Sequence, residues 1–189
     1  MIYVFEGSRN SGKTHLSNYI SDKYNIPRFQ FNFSGYFNLL GLSSGENREA
    51  HSFSMGKELM LLQLAKEFSL SLPDFIHDRG IATVLAWGLY EKRITVEEML
   101  EQIDYIQDNN LLDGIYLIRI KGKNPNNSDR NKDQWDFADL DSGEADCFDI
   151  VFDEFQKRGI LKIFTVNNTF DEKGISEIDN LFDFITSTE

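Results

Sequence analysis

The sequence predicts an α/β fold in which five parallel strands are flanked by helices and a lid. Three observations carry this expectation. Short apolar runs rich in β-formers alternate with stretches of helical periodicity along all 189 residues. The first such run breaks into a glycine-rich turn and then a helix. No Pro/Gly/Ser linker divides the chain, and at ~150 residues per domain the length favours one domain spanning residues 1–189. Strands alternating with helices imply a parallel sheet covered on both faces.

The elements follow in order. Ile2–Phe5 reads as a strand, Gly7 and Gly12 mark the turn, and Lys13–Lys23 reads as a helix. Phe29–Phe33 alternates Phe, Gln, Phe, Asn, Phe and predicts a second strand. Residues 34–52, rich in Gly, Ser and Asn, read as loop or irregular helix. Leu59, Leu62, Ala65 and Phe68 fall near helical spacing, giving a helix over Met55–Phe68. Pro73 introduces a short strand, Phe75–His77, that ends at Asp78, and the apolar Ile81–Tyr90 reads as a buried helix. Thr95 caps the next helix, with Glu98 as its capping-box partner and Val96, Met99, Leu100, Ile103 and Ile106 on its apolar face. Ile115–Ile120 is the clearest strand, Glu144–Arg158 reads as a helix, Leu161–Val166 as the fifth strand and Ile175–Ile185 as the last helix.

Composition narrows the function. The hydrophobic fraction of 41% and sixteen Phe provide for a sizeable core and argue against disorder. A net charge of −12 argues against non-specific nucleic-acid binding, which needs cations to neutralise phosphates. The lone Cys147 rules out an internal disulfide framework and a Cys-rich zinc site. No apolar run reaches the ~18 residues of a membrane span. No basic segment precedes the first strand, so no secretory leader is expected and the expected location is cytoplasmic. The charge is uneven. Residues 121–132 carry Lys121, Lys123, Arg130 and Lys132 against Asp129 alone, whereas residues 133–154 hold nine acidic groups and no basic one. A basic start and a basic loop on an acidic protein suit a focused anion site, although each lysine alone could simply be solvated.

The motif that carries chemistry is Gly7-Ser8-Arg9-Asn10-Ser11-Gly12-Lys13-Thr14, which fits G-x-x-x-x-G-K-[ST] at every defined position. The glycines let the backbone curl so that its N–H groups face phosphate oxygens, and the next helix adds its positive end. Gly7, Asn10, Ser11, Gly12, Lys13 and Thr14 are therefore the candidate ATP contacts. Lys13 would reach the β- and γ-phosphates from a solvated loop end, and Thr14 would ligate Mg²⁺. The pattern sits between a predicted strand and a predicted helix, as a P-loop must.

The second feature is Asp78-Arg79. A strand ending in Asp puts a carboxylate at the sheet's C-terminal edge, where ligands bind in open α/β sheets. Asp78 would hold Mg²⁺ through water or orient the acceptor, and Arg79 would clamp a phosphate. A helix cap with a surface ion pair is the plainer reading of the same two residues. The third is the polar segment 121–142, long enough to be a lid that excludes water from phosphoryl transfer. Arg130 and Lys132 are its candidates for stabilising the transferring group, and Trp135 reads as lid packing.

Phe5-Glu6-Gly7, Ser11-Gly12-Lys13-Thr14, Asp78-Arg79 and a basic lid after the fourth strand together resemble thymidylate kinase and related phage-type deoxynucleoside monophosphate kinases of the P-loop kinase superfamily. The resemblance runs from residue 2 to about residue 168. It implies a P-loop NTPase sheet of order 2-3-1-4-5, ATP and Mg²⁺ as cofactors, and a nucleoside monophosphate as acceptor. It places His51–Leu62 on the acceptor side and Asn167, in Val166-Asn167-Asn168, against the adenine base. The chain departs from the family after the second strand. Ser34-Gly35-Tyr36 stands where Arg-Glu-Pro is usual, and Arg28 precedes the strand instead. Fold and ATP use therefore carry over further than the acceptor. Two alternatives stay open: a kinase of a nucleic-acid hydroxyl, and a P-loop NTPase or nucleotide sensor acting through a partner. A homodimer stays open as well.

Overall fold

The structure, a computed structural model, describes residues 1–30, 48–67, 73–122, 140–160 and 162–187, with only the backbone of 140–142. Its five strands are β1 Ile2–Glu6, β2 Arg28–Gln30, β3 Phe75–Asp78, β4 Ile115–Lys121 and β5 Ile163–Asn167. They form one parallel sheet in the order 2-3-1-4-5, as expected. The described helices are α1 Lys13–Tyr24, α2 Arg48–Glu67, α3 Ile81–Tyr90, α4 Val96–Asp108, α5 Leu140–Lys157 and α6 Glu172–Ser187.

The pleat of the sheet sorts the core into two layers. Ile2, Val4, Ile115 and Leu117 face the side covered by α2, α3, α4 and α5, where Leu85, Met99, Ile103, Phe148 and Phe152 are almost fully enclosed. Tyr3, Phe5, Ile76, Tyr116 and Ile118 face α1 and α6, meeting Leu16, Ile20, Ile178 and Phe182. Tyr3 packs tilted on Phe182 with ring centroids 4.9 Å apart. The α4 capping box forms as expected: Thr95 N–H donates to Glu98 at 2.8 Å and Glu98 N–H to the Thr95 hydroxyl at 3.2 Å.

Several boundaries differ from the sequence expectation. Helix α2 begins at Arg48, inside the stretch read as loop or irregular helix over 34–52, so the last residues of that stretch are regular helix. Ala50, His51, Ser54, Met55, Glu58, Leu62 and Ala65 form one continuous buried face, so packing overrides the loop-like composition. Strand β2 ends at Gln30 among the described residues, and Phe31–Phe33 lie outside them. Helix α5 starts at Leu140, within the segment expected as lid, and β5 runs Ile163–Asn167 rather than Leu161–Val166. Residues 123–139, which include Arg130, Lys132 and Trp135, lie outside the described residues.

The register positions the site. Phe5 pairs with Asp78 on one side and Ile118 on the other, so β1 and β3 end within one residue of each other, while β4 runs on to Lys121. The loop after β1 and the Asp-Arg pair after β3 therefore emerge side by side.

Candidate active site

The loop between β1 and α1 takes the conformations its glycines allow. Gly7 has φ +150° and Gly12 φ +83°, and a Cβ on either would press into neighbours, the Ser11 hydroxyl at 2.9 Å or the Phe170 ring at 2.8 Å. Leu16 N–H donates to Gly12 carbonyl at 3.0 Å, so the helix opens directly from the loop. Lys13 folds back over it, its ammonium donating to the Ser8 carbonyl at 3.0 Å. Here the structure corrects the sequence reading: Lys13 is 3% exposed, not at a solvated loop end. Burial, with the Arg79 charge as a second cause, lowers its pKa to about 8. An anion entering the loop would relieve both costs. The Ser11 hydroxyl is buried with no partner among the described residues.

Asp78 is fully buried at the end of β3, which excludes the plainer reading of a surface ion pair. Thr14 donates its hydroxyl to Asp78 Oδ2 at 2.9 Å, joining the first turn of α1 to the third strand. Arg28 donates to the same oxygen, and its Nε donates to Ser17 at 2.9 Å. The other oxygen, Asp78 Oδ1, is buried without a partner. A hydroxyl beside an ionisable carboxyl, with one orphaned oxygen, is a donor set that fits Mg²⁺ directly or through water.

Arg79 has φ +76°, a conformation that turns the chain sharply between β3 and α3. Its guanidinium lies over the Trp87 ring, 5.0 Å from the centroid, and its Nε is buried without a partner. Burial lowers its pKa. The turn is held from below by Glu6, the last residue of β1. Glu6 accepts from the backbone N–H of Ala82 at 3.0 Å and of Thr83 at 3.1 Å, and from the Thr83 hydroxyl. Burial raises its pKa to about 7 against the opposing effect of the Thr83 hydroxyl. Beside Gly80 lies a largely apolar cavity of about 250 Å³ lined by Val4, Leu62, His77, Ile81 and Leu117, with Glu58 next to His77.

The sequence reading missed four residues that shape this site. Glu6 does carry a signal in the sequence, a charged residue closing an apolar strand. Asn168 braces the P-loop by donating to Ser11 carbonyl at 2.9 Å while being 5% exposed. Trp87 and Glu144 gave no local signal, since helical spacing explained both. Asn167 does not face the loop: its backbone N–H donates to Glu177 of α6 at 2.8 Å, and it is exposed. The structure thus brings Lys13, Thr14, Asp78 and Arg79 together and leaves Asn167 apart.

No protein-family model matches the chain, and no curated protein matches it. Solved structures do. Thymidylate kinase from Candida albicans is 17% identical with a TM-score of 0.63, over 99% of this chain and 91% of that one. Thymidylate kinase from Ehrlichia chaffeensis is 18% identical with a TM-score of 0.62, over 100% of this chain and 98% of that one. Deoxyadenosine kinase from M. mycoides with bound dATP is 18% identical with a TM-score of 0.58, over 97% and 100%. The chain therefore has the fold of thymidylate and deoxynucleoside kinases, a P-loop kinase fold.

Proposed function

We propose that this chain, built on the P-loop kinase fold, transfers the γ-phosphoryl group of ATP to a (deoxy)nucleoside monophosphate. The observation that carries the reading is the Thr14–Asp78 hydrogen bond. It brings the Thr14 hydroxyl and the Asp78 carboxylate, our candidates for holding a metal ion, side by side, next to the buried Lys13 and the half-buried Arg79. Phosphoryl transfer asks little covalent chemistry of a protein and depends on positioning and charge neutralisation.

Gly7, Asn10, Ser11 and Gly12 cradle the ATP phosphates through their backbone. The Lys13 ammonium, partly desolvated before the nucleotide arrives, pairs with the β- and γ-oxygens. Thr14 and Asp78 would hold Mg²⁺, which when bound neutralises phosphate charge. Arg79 stabilises the transferring group from the β3 side, and Arg130 and Lys132 do so from the segment after β4. Asn167, exposed at the end of β5, is the proposed adenine contact. The apolar cavity beside Gly80 offers the acceptor a wall away from water, and the net charge of −12 favours a small acceptor over a polymer.

A second reading, transfer to a deoxynucleoside hydroxyl, is favoured by one observation. Arg28 is committed to Asp78 and Ser17 rather than offered to an acceptor phosphate. Labelled ATP with each nucleoside monophosphate, each deoxynucleoside and a 5′-hydroxyl oligonucleotide separates the readings. Label on a nucleoside diphosphate supports the proposal. Label appearing only on a deoxynucleoside or on the oligonucleotide replaces it.

A further inference from the structure

Glu144 is 1% exposed in the early part of α5, 135 residues from the P-loop in sequence, yet it holds that loop directly. Its Oε1 accepts from the Arg9 backbone N–H at 2.9 Å and from the Trp87 indole N–H at 2.9 Å. Its Oε2 pairs with the Arg9 guanidinium at 3.4 Å. Trp87, in α3, in turn underlies two guanidiniums, Arg9 at 5.4 Å and Arg79 at 5.0 Å from its centroid. Arg9 also reaches Glu91 at 3.5 Å. One carboxylate thus fixes a P-loop N–H, a P-loop side chain and the plane of the ring on which the candidate phosphate clamp Arg79 rests.

We propose that Glu144 is a positioning residue for phosphoryl transfer that acts through Arg9 and Trp87. The inference rests on the kinase reading above. Two cations side by side repel each other, and a buried carboxylate that accepts charge-assisted bonds offsets that repulsion while fixing direction. The indole N–H sets the rotation of the ring, and the ring face sets where each guanidinium lies. Loss of the Glu144 charge leaves Glu91 as the remaining carboxylate partner of Arg9 and weakens the charge-assisted bond that sets the Trp87 ring. Both guanidiniums then leave the positions that the transferring group requires.

The test is Glu144→Gln, which keeps the shape and removes the charge. The expected result is a kcat loss of about 10- to 100-fold with the KM for ATP within about twofold, the signature of a misplaced group rather than a lost binding contact. Added to a double variant carrying both Arg9→Ala and Trp87→Phe, the same substitution should cost less than about twofold, because both side chains through which it acts are gone. An unchanged kcat, or losses that multiply in the triple variant, overturns the proposal. Should Glu144→Gln fail to fold, Trp87→Phe serves: it keeps a ring under the guanidiniums and removes the N–H. A fall in kcat at constant KM supports the proposal, and wild-type kcat overturns it. If the wild-type protein transfers phosphate to no acceptor, the kinase reading fails on its own. Trp87 emission in a Trp135→Phe background then judges Glu144 separately. An ATP-induced change present in that background and lost with Glu144→Gln supports the positioning role, and its survival overturns it.

Discussion

Stability should fall as pH rises from about 4.5 to about 7, and Glu6→Gln should flatten that fall. Glu6 sits fully enclosed beneath the N-terminus of α3, and its pKa rises from 4.5 to about 7. The folded chain therefore holds a proton that the unfolded chain has released across this window. Where the folded state binds more protons, unfolding free energy decreases with rising pH. The contribution is fully present below the unfolded value and is lost as pH passes the folded one. At about 1.4 kcal/mol per unit, the shift corresponds to roughly 3 kcal/mol. The buried His51 works in the opposite direction, because burial lowers its pKa, but it is common to both proteins and cancels in their difference. Urea unfolding of wild type and Glu6→Gln, in half-unit steps from about pH 5 to about pH 8, gives the two curves. The account predicts that they diverge in slope through this window. Parallel curves would refute the claim that a buried, proton-holding Glu6 anchors the Arg79–Gly80 turn.

Other outcomes follow from the same site. Lys13→Ala should lower phosphoryl transfer by at least about 10³-fold, read by steady-state kinetics. Its thermal midpoint should stay level or rise, since the substitution removes a desolvated ammonium. In the wild-type protein, ATP affinity measured by calorimetry should weaken as pH climbs through about 8, where free Lys13 loses its proton. Gly12→Ala forces a Cβ into a left-handed backbone and against the Phe170 ring, costing about 2–4 kcal/mol in urea unfolding. Asp78→Asn should raise the Mg²⁺ concentration for half-maximal rate by about tenfold, and an unshifted magnesium titration would remove Asp78 from the metal site.

The fold was largely legible because its signals are local. Ile2–Phe5 followed by Gly7 and Gly12, and Ile115–Ile120 bounded by Asp113-Gly114, carry their own periodicity and punctuation. The start of α2 was not legible. Ser and His over residues 51–54 look loop-like until the buried face from Ala50 to Ala65 is seen. At the site, Lys13, Thr14, Asp78 and Arg79 announced themselves by motif and by position at a strand end. Glu144, Trp87 and Asn168 could not, because their roles are set by partners 57 to 157 residues away. Burial of Lys13 was hidden for a related reason: the charged groups that act on it include Asp78, Arg79 and Glu144, all remote in sequence.

The central claim is transfer from ATP to a monophosphate, and ³¹P NMR of the two nucleotides with the protein and Mg²⁺ tests it most directly. The account predicts that the γ-phosphate signal disappears in step with a new β-phosphate signal on the acceptor, with ADP formed in equal amount and little inorganic phosphate. Release of inorganic phosphate with every acceptor left unmodified would contradict it and make the protein a nucleotide hydrolase.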